Sequence, residues 1–404
     1  MRVHFSPCGI GLGHVGRCSP IAKRLQENGA EIMFTTYLTG LDYVKKEEFR
    51  VLEVPPIDFS VEYDGTIDFR QTMMEQGPFV APFTILNQIK SEIKAIMSFD
   101  PDIVVSDSRV APLIAAKFLG IPSVSILNQF QILIPRRTKF LRIGKFVDAG
   151  ALALIGGIWT SAVHVLIPDF PPPYTISTGN LRLPSFFKSH IKLVGPILPK
   201  LPQELESPKK IRKKLGLDEN KSFVFAPISG PPKECKYLIK KLIQIFKEFS
   251  DEFQIVMSLG LPDKSNTIEK EGNLIIHNWI SNRFEYLKAC DVLIARAGHE
   301  TITQSISYGK PQILIPTPNH SEQLNNAKKA VDIGIAEIIE QENLTKRTIL
   351  ESIRRIDVIH ARERREQIQK EISNINGIET AAKIIMDVAG EREPMNSQDS
   401  LYKN

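Results

Sequence analysis

The stretch that most constrains the fold is residues 291–327. Two short apolar segments, 291–295 and 312–316, flank a turn at Gly298 and a segment with helical spacing over 301–308. This order predicts a βαβ unit with parallel strands. A glycine turn that leads directly into a helix presents free backbone N–H groups and the positive end of the helix dipole. The stretch therefore predicts a site for an anion, most simply a phosphate.

A second unit of the same kind opens the chain. An apolar segment at 3–6 leads into a glycine-rich loop that ends in His14, then into a helix and a second apolar segment at 31–35. Such a loop can serve a dinucleotide, but that use normally requires an acidic residue at the end of the second strand. This chain has Thr35-Thr36-Tyr37 there. The pattern therefore favours another ligand.

Length and composition favour two domains in a cytoplasmic protein. A chain of 404 residues exceeds one ordinary core, and 42% hydrophobic with 24% charged residues is typical of a globular protein. The four cysteines lack metal-ligand spacing, which indicates reduced thiols. The start of the chain predicts a strand rather than a signal peptide. A net charge of +5 is too modest to indicate nucleic acid binding.

The motif around Gly298 resembles the donor-binding half of a known enzyme group. The order of its residues is Arg296-x-Gly298, Thr301, a polar residue at 304, Gly309-Lys310-Pro311, Pro316 and Glu322-Gln323-x-x-Asn326-Ala327. This order is similar to that of the GT-B glycosyltransferases, the group with the peptidoglycan enzyme MurG and the UDP-glycosyltransferases. The loop Gly11-Leu12-Gly13-His14 is similar to their first-domain loop. The resemblance implies an α/β fold with two Rossmann-like, doubly wound domains facing across a cleft.

The resemblance also implies a division of the chain. The expected parts are an acceptor-binding domain (1–193), a linker (194–214), a nucleotide-sugar-binding domain (215–372), a terminal helix that crosses back to the first domain (373–389) and a disordered tail (390–404). Within the second domain, the charged stretch 350–372 predicts a helix with a solvated face.

The donor-binding residues follow from the same resemblance. The diphosphate is expected at Ser229, Gly230, Lys233, Gly298, His299 and Thr301, the nucleoside at Trp279, Ile280 and Gln304, and the donor sugar at Glu322 and Gln323. The chain departs from the group at Pro231-Pro232, which removes two backbone donors, and at Gln304, where relatives commonly have Glu. A buried aromatic in the core is the alternative for Trp279.

The catalytic residues are expected on the first domain. His14 is the candidate general base, and Asp107, which ends a predicted strand at the same edge, can orient its imidazole and stabilise its charge. Gly11 and Gly13 are expected in the acceptor loop. Capping of the following helix is the structural alternative for both His14 and Asp107.

The resemblance implies an inverting, metal-independent transfer of a sugar from a UDP-sugar to a hydroxyl acceptor. The UDP-sugar is a co-substrate, and no cofactor, metal or nucleic acid is expected. Two alternatives stay open, a nucleotide-sugar 2-epimerase of the same fold and a non-catalytic subunit of a glycosyltransferase complex. An epimerase needs acidic residues at the sugar, for which the sequence offers Glu300 and Glu322.

One segment suggests contact with an anionic membrane. Residues 109–147 contain no Asp or Glu, and aliphatic and aromatic residues alternate with the cations Arg136, Arg137, Lys139, Arg142 and Lys145. Such a surface suits the inner face of the cell membrane and a lipid-linked acceptor. The alternative is an ordinary surface loop and helix.

Replacing Arg136, Arg137 and Lys139 by Ser should weaken cosedimentation with anionic vesicles, because each cation near the lipid contributes about 1 kcal/mol. Replacing Lys209, Lys210 and Lys213 by Ser removes the same charge elsewhere and serves as the control. Equal partitioning of the two variants would remove the membrane hypothesis.

Overall fold

The protein contains two mainly parallel β-sheets, each with helices packed on both faces. The computed structural model describes residues 1–56, 69–128, 156–179, 181, 190–230, 232–261, 268–356 and 359–391, with side chains for all of these except 69–82, 232–234 and 359–361. The predicted membrane-contacting cations Arg136, Arg137 and Lys139, and the tail beyond residue 391, lie outside the described residues.

The first sheet has seven strands in the described part of the chain, all of them parallel. They are β1 (Arg2–Pro7), β2 (Glu31–Thr36), β3 (Arg50–Glu53), β4 (Ile103–Asp107), β5 (Ser123–Ile126), β6 (His164–Ile167) and β7 (Ile191–Leu193). The spatial order is β3-β2-β1-β4-β5-β6-β7, so the order reverses between β1 and β4. This reversal places the loops after β1 and β4 side by side.

The second sheet repeats this arrangement, again with seven strands among the described residues. They are β8 (Ser222–Pro227), β9 (Phe253–Ser258), β10 (Ile268–Glu271), β11 (Leu274–His277), β12 (Val292–Ala295), β13 (Gln312–Leu314) and β14 (Ala336–Ile338). The order is β10-β11-β9-β8-β12-β13-β14, and only β10 is antiparallel to its neighbour. The turns after β8 and β12 therefore open next to each other, at the sheet's own reversal point.

Helices lie between many of the strands in the described part of the chain. They are α1 (Gly13–Glu27), α2 (Leu38–Lys46), α3 (Phe69–Phe99), α4 (Ala111–Phe118), α5 (Pro208–Lys214), α6 (Pro232–Phe246), α7 (Arg283–Ala289), α8 (His299–Ser307), α9 (Ser321–Ile333), α10 (Lys346–Ile356), α11 (Ile359–Ile372) and α12 (Gly377–Gly390). We call β1–β7 with α1–α4 the first lobe and β8–β14 with α5–α11 the second lobe.

The expectation of one solvated helix over 350–372 is wrong. The structure has two helices there, α10 and α11, and each buries an apolar side against the second lobe. Ile349 and Ile356 join the core next to α6, while Ile368 and Ile372 join the cluster around α8. The high density of charged residues conceals isoleucines at helical spacing, which determine how the segment packs.

The chain crosses between the lobes more than once. The last helix, α12, packs on α1, and its Ala381 and Ile385 are fully buried in the core of the first lobe. In the other direction, residues 169–179 leave the first sheet and bury Phe170 and Ile176 among residues of α8 and α9. The first lobe's core therefore includes α12, which follows the second lobe in the sequence, and the second lobe's core includes a segment from before the predicted boundary at 193.

No helix in the described part of the chain is long and apolar enough to cross a membrane.

The crossing point of α12 predicts a steric test. A Cβ on Gly377 would lie 2.4 Å from both the Gly195 and the Pro196 carbonyl oxygens, and a backbone cannot easily move away. Gly377→Ala should therefore lower the free energy of unfolding by about 1–3 kcal/mol in urea titrations. Gly390→Ala, at the open end of the same helix, is the matched control, since a Cβ there meets nothing within 4 Å. Equal stabilities for the two variants would contradict the close crossing.

Candidate active site

The first lobe contributes a buried carboxylate with two basic partners. Asp107, at the end of β4, is fully buried, and its Oδ1 lies 2.8 Å from Nδ1 of His14. Arg17, one turn further along α1, donates from Nε to Oδ2 at 2.5 Å and from Nη2 to Oδ1 at 2.6 Å. The pair is a bidentate arginine–carboxylate contact, the strongest geometry available to these groups. It fixes α1 to the end of β4.

These contacts keep Asp107 ionised. Burial by itself favours the neutral acid, but the positive charge of Arg17 and the contact with His14 outweigh it and lower the pKa of the carboxyl to about 2. The pKa of the Arg17 guanidinium is raised, because the charge of Asp107 more than offsets the effect of its burial. The His14 imidazole therefore faces a permanent negative charge that is largely balanced by Arg17.

The contacts also assign the proton on His14. Because Asp107 is ionised and only accepts, Nδ1 of His14 carries the hydrogen and donates it to Oδ1. Nη2 of Arg17 lies 2.9 Å from the same Nδ1, but both groups are then donors, and the carboxylate is the acceptor for both. Nε2 is left as the basic nitrogen. The His14 side chain is 25% exposed, enough to meet a ligand.

The structure shows neither capping alternative for these two residues. The residue before α1 is Leu12, and His14 directs its imidazole to β4 rather than to its own helix end. The residue before α4 is Val110, and no side chain caps that helix. Asp107 instead accepts from Ser108 in addition to its two basic partners.

The glycines of the first loop have different structural roles. A Cβ on Gly9 would lie 1.8 Å from the Tyr37 carbonyl oxygen, so Gly9 is required for packing against α2. Gly11 has a φ of 71°, in the left-handed region that favours glycine. Gly13 begins α1, is exposed, and has open space around it. Of the two predicted loop residues, Gly11 shapes the turn and Gly13 leaves room above the helix.

The second lobe presents the N-terminus of α8 to the same region. Gly298 precedes the helix, and Thr301 in its first turn borders the cavity between the lobes. On the neighbouring turn, Ser229 is exposed and borders the cavity, and Gly230 has a φ of 143°. The backbone N–H groups of α8 are therefore available to an anion. The Lys233 side chain lies outside the described residues.

The structure places the side chain of His299, a predicted diphosphate residue, against the first lobe. Its imidazole is buried, and Nε2 lies 3.0 Å from Oδ2 of Asp169 in the segment that crosses from the first lobe. The distance is short but the alignment is not that of a hydrogen bond, so the contact is mainly electrostatic. Asp169 is itself saturated by the backbone N–H groups of Phe170, Ile176 and Ser177. Only the backbone of His299 remains available to a donor diphosphate.

Three further polar side chains of the motif around Gly298 form hydrogen bonds with other protein groups. Gln304 donates from Nε2 to the Ile197 carbonyl oxygen at 3.2 Å, although it still borders the cavity. Glu322 accepts at Oε1 from Nδ2 of Asn128 in the first lobe at 2.7 Å. Gln323 accepts from the Thr317 backbone N–H at 2.9 Å. Gln323 therefore shapes the loop before α9, and Glu322 connects the two lobes.

The predicted nucleoside residues lie at the same cavity with different exposure. Ile280 is 4% exposed and belongs to the second lobe's core, whereas Trp279 is half-buried. Tyr43 of α2 meets Trp279 edge-on, with ring centroids 6.4 Å apart. Trp279 is therefore an aromatic surface shared between the lobes, not a core residue as its alternative required.

Both lobes line one cavity of about 710 Å³. Its wall includes Gly13 and Gly16 of the first lobe and Ser229, Trp279 and Thr301 of the second. This volume is ample for a nucleotide sugar. The structure thus brings together residues predicted to bind the nucleoside and the diphosphate. His14 lies near the start of α1, between Gly13 and Gly16 of the cavity wall.

Sequence reasoning missed three residues of this region. Arg17 lies three residues after His14, on the same helix face, and that spacing was the available signal. Arg283, at the start of α7, borders the cavity, as does Tyr43. Nothing local in the sequence indicates that Arg283 and Tyr43 face each other's lobes, since only the tertiary fold brings α2 and α7 together.

Comparison with known proteins supports the two-domain fold. Residues 233–385 match the glycosyltransferase family 28 C-terminal domain. Over 97% of its length the chain is 26% identical to an uncharacterised glycosyltransferase of Methanosarcina mazei, all of which is covered. Over 66% of its length it is 26% identical to 68% of a UDP-N-acetylglucosamine–N-acetylmuramyl-(pentapeptide) pyrophosphoryl-undecaprenol N-acetylglucosamine transferase of Bacillus cereus. The solved MurG of Acinetobacter baumannii superposes with a TM-score of 0.57 at 18% identity, covering 96% of this chain and 99% of that one.

The chain has the GT-B fold and resembles the MurG and UDP-glycosyltransferase group. The predictions of fold class and of family resemblance are confirmed, and the comparisons support a glycosyltransferase. In GT-B terms, the cavity described above is the cleft between the two Rossmann-like domains. The roles of the individual site residues and the domain boundaries stay predictions.

The buried carboxylate of the GT-B first lobe predicts a pH-dependent stability difference. Asp107→Asn leaves the buried Arg17 without its counter-charge, which should cost about 3–5 kcal/mol at pH 7. The folded-state pKa of Asp107 is depressed, so its stabilisation is present above the unfolded pKa of about 3.9 and is lost as pH falls through about 2. The difference between wild type and variant should therefore shrink by about 1 kcal/mol between pH 7 and pH 3.

Urea unfolding at the two pH values measures this difference. Glu351→Gln is the control, because it removes an exposed carboxylate–arginine pair with Arg347 and should not change stability measurably. An Asp107→Asn penalty that stays constant between pH 7 and pH 3 would show that the carboxylate does not stabilise the fold through its charge.

Proposed function

We propose that the protein transfers a sugar from a UDP-sugar to a hydroxyl acceptor, with inversion and without a metal ion. The single observation that supports this most is the His14–Asp107 pair at the start of α1, beside Gly13 and Gly16, which line a cavity that Thr301 in the first turn of α8 lines from the second lobe. One side offers a base and the other a diphosphate site. These are the two groups that direct displacement at an anomeric carbon requires.

The donor is proposed to lie along the second lobe. Its diphosphate would accept hydrogen bonds from the backbone N–H groups at the start of α8 and from Ser229. Its nucleobase would lie against Trp279 and Ile280. In the transition state the leaving diphosphate gains negative charge, which the positive end of α8 stabilises. Arg283 adds a fixed positive charge at the cavity.

The acceptor is proposed to approach from the first lobe. Nε2 of His14 takes the proton of the acceptor hydroxyl as its oxygen attacks the anomeric carbon. Asp107 then stabilises the imidazolium, because its carboxylate already accepts from Nδ1. Arg17 has no direct role in the proton transfer and instead holds Asp107 in position.

A lipid-linked acceptor is the proposed acceptor class. The Bacillus cereus relative is named for transfer to a pyrophosphoryl-undecaprenol acceptor. The cations of 109–147, most of them outside the described residues, are interspersed with aliphatic and aromatic residues, a composition that suits such a lipid at the inner face of the membrane. These two observations together support peripheral membrane contact.

His14→Ala should reduce sugar transfer by roughly 10²–10⁴-fold, because general base catalysis is lost. The affinity for UDP should stay within about tenfold, or 1.4 kcal/mol, because the imidazole faces the acceptor side. Turnover of UDP-sugars with membrane-lipid extracts and titration calorimetry with UDP measure the two effects. His190→Ala, which changes an exposed histidine, is the control.

Three outcomes would contradict the proposal. Loss of UDP binding in His14→Ala would make the residue structural. Formation of a 2-epimer from UDP-N-acetylglucosamine without any acceptor would favour the epimerase alternative. UDP binding by the wild type without transfer to any acceptor would favour the non-catalytic subunit.

A further inference from the structure

One carboxylate in the cleft has no role in the reaction proposed above. Glu300 is the second residue of α8 and borders the cavity. It reaches across to α1, where its Oε2 lies 3.6 Å from the position that a Cβ on Gly16 would take. Glu300 is therefore held between the two lobes, at the helix end where the diphosphate is expected.

The environment of Glu300 does not satisfy a negative charge. The residue is half-buried, but its Oε1 is shielded from water and has no hydrogen-bond partner in the described part of the chain. Arg17 of α1, whose positive charge acts on Glu300, already donates from Nε and Nη2 to Asp107. A shielded carboxylate oxygen without a donor is unfavourable when the group is ionised.

Titratable groups on several elements face Glu300. These groups are Arg17 and Cys18 of α1, Tyr43 of α2, Asp107 of β4, Arg283 of α7 and His299 of α8. Burial raises the pKa of the Glu300 carboxyl, Asp107 acts in the same direction, and Arg17, Arg283 and His299 oppose it only in part. The surroundings therefore make Glu300 easier to protonate than an ordinary glutamate, although opposite charges nearby still support its carboxylate.

A bound diphosphate would change this balance further. Its oxygens are expected at the backbone N–H groups of the same first turn of α8, beside Thr301. Two anions cannot share that position without a large repulsion. A protonated Glu300 removes the repulsion and turns the side chain into a hydrogen-bond donor.

We propose that Glu300 takes up one proton when the donor binds and, as a neutral acid, donates a hydrogen bond to the diphosphate. The proton comes from solvent and returns to solvent when the nucleotide leaves, so no other group changes its charge. This inference rests on the proposed function, because it requires a nucleoside diphosphate sugar in the cleft. It makes donor affinity depend on pH through one named residue.

Glu322, the other acidic residue that the sequence places near the donor, differs from Glu300. Its Oε1 accepts from Asn128 at 2.7 Å, so its charge has a donor already. The contrast identifies Glu300, rather than Glu322, as the residue whose protonation the ligand controls.

Titration calorimetry with UDP-N-acetylglucosamine tests the proposal. The diphosphate of this donor is doubly esterified and does not titrate near neutral pH, so any proton exchanged comes from the protein. Titrations at one pH in two buffers of different ionisation enthalpy give the number of protons. For the wild type we expect an uptake approaching one proton above pH 7, and an affinity that falls up to tenfold per pH unit.

Glu300→Gln should remove both effects. The amide is neutral at every pH and can donate, so the variant should bind without proton uptake, with an affinity independent of pH. At pH 8 it should bind more tightly than the wild type. Glu27→Gln is the matched control, since Glu27 borders the same cavity from the exposed end of α1 and should leave proton uptake unchanged.

The outcomes separate this inference from the proposed function. Donor binding with no proton uptake by the wild type, or with unchanged uptake in Glu300→Gln, would overturn the role of Glu300 and leave the transferase proposal intact. Wild-type binding that requires Mg²⁺, lost in Glu300→Gln, would show a charged metal-binding carboxylate and also overturn it. No binding of any nucleotide sugar would overturn both proposals. Because the wild-type measurement stands alone, poor folding of the variant would not leave the inference untested.

Discussion

The bidentate contact between Arg17 and Asp107 is the interaction on which the site depends. It neutralises a carboxylate that the sheet buries completely, and it joins the first helix to the end of β4. Because Arg17 fixes both carboxylate oxygens, the imidazole of His14 meets an acceptor whose position and charge are constant. The orientation of the proposed base is therefore set by the fold of the first lobe, before any ligand arrives.

The cleft follows from the same rule applied to both sheets. In each, the strand order reverses at one point, between β1 and β4 in the first and at β8 in the second. His14 and Asp107 lie at this point of the first lobe, and Gly298 and Ser229 lie at the corresponding point of the second. The segment 169–179 crosses from the first lobe and packs on α8 and α9, where Asp169 contacts His299. This packing joins the two lobes.

Much of this arrangement could be predicted from the sequence, because it depends on local patterns. Strand, glycine turn and helix recur near His14 and near Gly298, and the family resemblance adds the pairing of the two. What could not be predicted are contacts made by tertiary packing. The His299 side chain faces Asp169, and Gln304 donates to Ile197, because the crossing segments approach α8 from outside its own sheet. In the same way, the many charged residues of α10 and α11 mask the pattern of the isoleucines through which these helices pack on the second lobe.

The placement of α12 has a consequence for folding during synthesis. Its buried Ala381 and Ile385 complete an apolar core that otherwise belongs to the first half of the chain. Outside α12, the buried members of that core lie within residues 3–197, so they are synthesised before the second lobe. During translation, part of the first lobe's apolar surface therefore stays exposed to solvent. It is covered only after the second lobe and α12 have left the ribosomal exit tunnel.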